Sequence, residues 1–166
     1  MGAQIGAAFA AVLMVMLLTG LSACHRLHEF REAVSASSRT YNVIADLDKA
    51  TLEIADQEAA LRGYLLGADP KFLESYQNAG EAFLASLARL RGLIADDATQ
   101  LKRLNRLQDL AESWHRDVAE EEIALMDKPE TVRDARRLET AGAGKVATEG
   151  VRSLAMTLKA VELQRL

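Results

Sequence analysis

From Gly2 to Cys24 the chain carries no charged side chain, and Ile5–Ala23 (IGAAFAAVLMVMLLTGLSA) is apolar or small throughout. Such a run is poorly solvated by water. Its roughly nineteen residues, at about 1.5 Å of helix each, match a bilayer core, so a spanning helix doubling as export signal is expected over 5–23. The positive-inside rule asks for Lys or Arg ahead of the span, but none precedes Ile5, while Arg26 and Arg31 follow it. An N-inside orientation is still expected, because the downstream segment has the character of an exported domain.

The same region carries two other patterns. Leu21-Ser22-Ala23-Cys24 has the form of a lipoprotein cleavage site. Lipidation at Cys24 would turn the apolar run into a signal peptide and leave a stand-alone helical lipoprotein. Cys24, His25 and His28 form C-H-x-x-H, with Cys24 and His28 on one helix face, but a stable metal site needs a third ligand and only Glu32 is near in sequence. No metal and no cofactor is therefore expected. Gly2, Gly6 and Ala10 give small residues at four-residue spacing, a weak pattern for pairing of spans.

Beyond residue 24 the composition suits helices. The whole chain is 49% hydrophobic but only 5% aromatic, with two prolines, which favours aliphatic seams over strands. The net charge of −4 and the scattered Lys and Arg leave no electrostatic footprint for nucleic acid. There is no phosphate-binding glycine loop and no nucleophile turn. His25, His28 and His115 each lack a Glu three residues before them, so the inward Glu-x-x-His pairs of a bundle metalloenzyme are missing. No catalytic residue is assigned.

Apolar residues then recur at steps of three and four. Leu27, Phe30, Val34, Tyr41, Ile44, Leu47, Thr51, Ile54, Leu61 and Leu65 predict a helix over about 25–66, with Ser37 and Glu58 as polar seam members and a one-residue slip after Ile44. Asp69-Pro70 opens a second helix over about 70–95, with the seam Leu73, Tyr76, Gly80, Phe83, Leu87, Leu90, Ile94. Asp97-Ala98-Thr99-Gln100 opens a third over about 98–126, with Leu104, Leu107, Ala111, Trp114, Val118 and Leu125. Asp127 as cap and Pro129 in the first turn predict a fourth over about 129–166, although Gly142, Gly144 and Gly150 weaken it. The fold class is all-α: an N-terminal transmembrane helix (segment 1–24) continuing into an up-down-up-down four-helix bundle (25–166). The pattern is still helical at Leu166, as expected of a chain cut before a second span.

Asp56-Gln57-Glu58-Ala59-Ala60-Leu61-Arg62-Gly63-Tyr64-Leu65-Leu66, then Asp69-Pro70-Lys71-Phe72-Leu73-Glu74, resembles the signature of the third type of CHASE (cyclase/histidine-kinase-associated sensory extracellular) domain. That pattern is roughly D-A-E-T-x-x-R-G-Y-L-L-T-G-D, then a Pro/Glu, an aromatic and L-E. Trp114, Glu122–Met126, Pro129-Glu130-Thr131 and Gly142-Ala143-Gly144-Lys145 followed by Glu149-Gly150-Val151-Arg152 extend the likeness. The last segment is most similar to the version on methyl-accepting chemotaxis proteins. Gly67-Ala68 stands for the family's Thr-Gly, and Thr148-Glu149 for its Met-Asp. The resemblance implies an extracytoplasmic sensor between two spans of a receptor in the inner membrane. Its output would be a chemoreceptor or, alternatively, a histidine kinase or nucleotide cyclase, and its ligand a small molecule or protein.

The candidate ligand or signalling residues are Glu58, Arg62, Gly63, Tyr64 and Trp114. Arg62 would hold an anion with Tyr64 covering it. The structural alternative has Gly63 permitting tight packing and Arg62 pairing with Glu58 or standing at the helix end. Trp114 lies on the seam and reads as core before ligand platform. His115 and Arg116 fall off the seam and read as solvated, as does Glu120-Glu121-Glu122. Parallel pairing of the first helices predicts a homodimer.

Overall fold

In the computed structural model the backbone is described for residues 2–164, with side chains at 14, 16, 19–22, 26, 37–142 and 144–164. Every regular element among the described residues is helical. Helix α1 (Gly2–Gly67) ends at a turn in which Ala68 adopts φ 53° and its N–H donates to Tyr64 O at 2.7 Å. Arg136 covers that end from elsewhere in the chain, its Nε donating to Leu65 O at 2.8 Å and its Nη2 to Leu66 O at 3.1 Å. A guanidinium there satisfies free carbonyls and complements the negative end of the helix dipole. Helices α2 (Pro70–Leu93) and α3 (Ala98–Trp114) begin as their sequences dictate. Asp69 Oδ1 accepts from Lys71 N at 3.0 Å, and Asp97 Oδ1 accepts from both Thr99 N and Gln100 N at 2.9 Å.

The second half departs from expectation. The third helix is not one α-helix over 98–126: its backbone widens into a π turn at His115–Ala119 before resuming as α4 (Glu120–Met126). Asp127 closes α4 and does not cap the next helix, and Pro129 sits in the connecting turn. Thr131 secures that turn by donating from Oγ1 to Leu125 O at 2.6 Å. The fourth helix is two helices, α5 (Val132–Thr140) and α6 (Ala143–Leu163), separated where Gly142 takes φ 83°. Only glycine adopts that conformation without Cβ strain, so the glycine read as a weak point is a break.

The chain divides into two compact units, Met1–Arg39 and Thr40–Leu166. In the first, Met14, Met16 and Leu21 are exposed. Among the described residues no helix is long and apolar enough to cross a membrane. The span expected over Ile5–Ala23 falls mostly on positions whose side chains lie outside the described residues, as do Cys24, His25 and His28.

In the second unit, long-range bonds fix the helix directions. Asp48, Glu58 and Arg62, in rising order along α1, meet Lys159, Thr148 and Glu139, in falling order, so α1 runs antiparallel to α6 and α5. Arg89 Nε donates to Asp46 Oδ1 at 2.9 Å, tying α2 to the start of this part of α1. Arg91 Nη2 donates to Asn105 Oδ1 at 2.7 Å, tying α2 to α3, and Gln100 Nε2 to Glu162 Oε1 at 3.1 Å, tying α3 to α6. The result is the expected up-down-up-down bundle around one core: Val43, Leu47, Ile54, Leu61 and Leu65 of α1 meet Phe83, Leu87 and Leu90, then Leu104 and Leu107, then Val151 and Leu158.

Two seams are re-registered. In α1 the inward positions are Thr40, Val43, Leu47, Ala50, Ile54, Gln57 and Leu61, so no slip is needed; Tyr41 is exposed, Ile44 and Thr51 are half-buried, and the buried polar member is Gln57 in place of Glu58. After Trp114 the π turn inserts one residue, and the inward positions become Ala119 and Glu122 where Val118 and Leu125 were expected. Glu122 is thereby fully buried, not solvated, and Val118 and Leu125 are half-buried.

Candidate functional site

The half of the bundle around the α1–α2 turn holds a tier of polar groups. Arg62 stands four residues after Glu58, one turn along α1, and the two pair as an i,i+4 couple through Nη2 and Oε1 at 2.6 Å. Its Nε donates to Glu139 Oε1 of α5, also at 2.6 Å. The hydrogen bond it donates to Glu139, with the charges of Glu139 and Glu58, raises the guanidinium pKa against some desolvation. Glu58 Oε2 accepts from Thr148 Oγ1 of α6 at 2.9 Å, so this one carboxylate links α1 to itself and to α6. The family's Met-Asp position matters here in an unexpected way: Thr148 makes the contact, while Glu149 is exposed and 3.9 Å from Lys145.

Gly144 explains how α6 comes this close. A Cβ on it would lie 3.2 Å from Trp114 Nε1 and 3.8 Å from both Glu139 Oε2 and Glu58 Cγ. Trp114 is buried, stacked edge-on against Tyr76 with ring centroids 6.3 Å apart. Neither Trp114 Nε1 nor the Tyr76 hydroxyl has a hydrogen-bond partner among the described residues, and neither do the two oxygens of Glu122. Burial, then the charges of Glu139 and Glu121, push the Glu122 carboxyl up to about 7. Burial, then Glu120 and Glu122, likewise raise the Tyr76 phenol well above its ordinary range. The tier thus contains three carboxylates, Glu58, Glu139 and Glu122, around one guanidinium. It joins α1, the α3–α4 segment and α5–α6.

Of the five residues singled out in the sequence, three gather here: Glu58, Arg62 and Trp114. Arg62 is already bonded to two carboxylates, so it serves as a cross-tie and does not present a vacant anion site. Gly63 is set apart from the charges; a Cβ there would stand 2.5 Å from the Phe72 ring, which marks the close approach of α1 and α2. Tyr64 is half-buried, and its carbonyl closes the α1 turn. Glu122, Glu139, Gly144 and Thr148 complete the tier. Gly144, Thr148 and Glu122 fell within the family likeness, whereas Glu139 carried no signal in the sequence. A second buried polar group lies at the other end, where Gln100 donates to Glu162 and accepts from Arg103 Nη1 at 3.0 Å. Among the described residues no three His, Cys, Asp or Glu side chains are placed to hold a metal ion.

Comparison with known proteins agrees with this architecture. The sequence model of the CHASE3 domain matches residues 33–166. The fold is similar to the crystal structure of the sensor domain of the Rhodopseudomonas palustris histidine kinase HK9, with a TM-score of 0.65 and 22% sequence identity. The match covers 74% of this chain and 94% of that one. No curated protein matches the sequence.

Proposed function

Because the chain belongs to the CHASE3 domain family, a type of extracellular sensory domain, we propose that it is the input domain of an inner-membrane receptor of the methyl-accepting chemotaxis type. The observation that carries this reading is the pairing of α1 with α5–α6. The first and last helices of the bundle are antiparallel neighbours joined by Arg62–Glu139, Glu58–Thr148 and Lys159–Asp48. A ligand that favours one arrangement of the polar tier shifts α6 against α1, and both helices lead to the same end of the bundle. Such a shift is driven only by the ligand's difference in affinity between two packings. The exposed apolar side chains Met14, Met16 and Leu21 suit a lipid-facing anchor within the uncharged run. Gly142-Ala143-Gly144-Lys145 supports the chemotaxis variant. Likeness in fold to a histidine-kinase sensor domain supports a second reading, in which the output is a kinase.

The outer face of α1 supports a homodimer. Ala45, Leu52, Ala59 and Leu66 recur every seven residues and are all exposed, Leu52 at 60% and Leu66 at 69%. A heptad stripe of small and apolar residues on the side away from the core fits a parallel copy of the same helix.

The test is a fusion of residues 1–166 to the second span and signalling domain of a chemotaxis receptor. Arg62→Ala and Glu139→Gln are each expected to change the activity of the coupled kinase. Normal membrane insertion with kinase activity identical in all three proteins would contradict the proposal.

A further inference from the structure

Between α2 and α3 the bundle is not closed: a cavity of about 400 Å³ lies there, in the range of small-molecule sites. Its cause is in the seams. Gly80 and Ala111 occupy inward positions of α2 and α3 where Leu and Phe stand one turn away, so two facing side chains are too small to meet. Gly80 also makes room for the Gln57 side chain, since a Cβ on it would be 2.6 Å from Gln57 Nε2. Gln57 is buried at a core position of α1 and brings an amide to the cavity floor.

The walls are aromatic. Tyr76 and Phe83 line it from α2, and His115 from the π turn that follows α3, its ring 5.7 Å from that of Tyr76 and tilted by 34°. His115 was expected off the seam; it is the first residue of the π turn and stands half-buried at the cavity. π turns inside α-helices recur at functional sites. The rim carries Glu81 from α2 and Glu112 from α3. Among the described residues no lysine or arginine lines the cavity; Glu112 Oε1 accepts from Gln108 Nε2 at 2.6 Å, which leaves its second oxygen for a ligand.

We propose that this cavity is a ligand site for a small ring-bearing amine, the ring lying between Tyr76, Phe83 and His115 and the ammonium facing Glu81 and Glu112. Three rings in one small space favour a flat apolar body, and their faces attract a cation. The two carboxylates repel the anionic counterpart of the same ring. The amide of Gln57 supplies one hydrogen bond in the interior. This assignment rests on the sensory reading above and names the class of ligand for it. Occupation would separate α2 from α3 next to Trp114, whose indole touches the polar tier.

The experiment is calorimetric titration of the 166-residue chain in detergent with phenethylamine, tyramine and tryptamine, set against phenylacetate. Saturable binding of at least one amine is expected, about tenfold or more tighter than phenylacetate. The rim variant Glu81→Gln/Glu112→Gln, on exposed positions, is expected to weaken it by about tenfold. Ala111→Leu, which fills the cavity, is expected to abolish it. The site is overturned by no saturable binding of any of the three amines, by phenylacetate binding as tightly, or by an unaltered affinity in the rim variant. Binding is read on the isolated chain, so its failure leaves the sensory reading to be decided by the receptor fusion.

Discussion

Replacing Glu122 by glutamine keeps the size of the buried side chain and removes its charge. The consequence follows from linkage. An ordinary glutamate titrates near 4.3–4.5, and burial beside Glu139 raises this one to about 7. Between those values the folded protein holds a proton that the unfolded chain has released, so folding stability falls as pH rises through the window. The contribution is fully present below about pH 4.5 and lost above about pH 7. The move from 4.5 to about 7 corresponds to roughly 3 kcal/mol. The groups facing Glu122, namely Tyr76 of α2, Glu139 of α5 with its Arg62 partner, and its own neighbour Glu121, are common to both proteins. Their effects largely cancel in the difference. Urea unfolding in detergent, followed by the emission of Trp114, the single tryptophan, reads that difference directly. Glu122→Gln is expected to match the parent within about 1 kcal/mol at pH 5 and to exceed it by about 3 kcal/mol at pH 8. A difference that stays constant across this range would show that Glu122 is not a buried, proton-binding carboxylate.

Two further outcomes follow from the geometry. Ala68 holds a left-handed conformation at the place where the family carries glycine, so Ala68→Gly is expected to stabilise the chain by about 1 kcal/mol in the same unfolding assay; a loss of stability would contradict the assignment of strain. Cysteine at Leu52, on the outer stripe of α1, is expected to form disulfide-linked dimers in oxidised membranes, whereas cysteine at Asp109 on α3 is not. Equal yields at the two positions would remove the parallel-dimer arrangement.

Much of the bundle was legible in the sequence because its signals are local. Asp69-Pro70 and Asp97 cap the helices they were expected to cap, and the α2 seam through Tyr76, Phe83 and Leu87 is the buried face. The α1 seam read one residue off at Tyr41 and Ile44 for a physical reason. Its inward line contains Thr40, Ala50 and Gln57, and its outer line contains Tyr41 and Leu52, so apolar character marks both faces. The π turn has no residue signature, yet it moved Glu122 from an acidic surface run into the core. The break at Gly142 was visible as a weakness but not as a division into two helices. The partners of the site lie far apart in sequence. Arg62 meets Glu139 across 77 residues and Arg136 reaches Leu65 across 71, and periodicity on one helix says nothing of which side chain faces it from another.

The proposed relay from the polar tier to the far end of the bundle is tested most directly by the separation of α1 and α6 near the Asp48–Lys159 pair. Spin labels at exposed Lys49 and Met156 report it through dipolar broadening, in membranes, with and without Arg62→Ala. A change in the distance distribution on the order of 1–2 Å is expected when the Arg62 cross-tie is lost. An identical distribution, with Trp114 emission unchanged to show that the bundle is intact, would contradict the account.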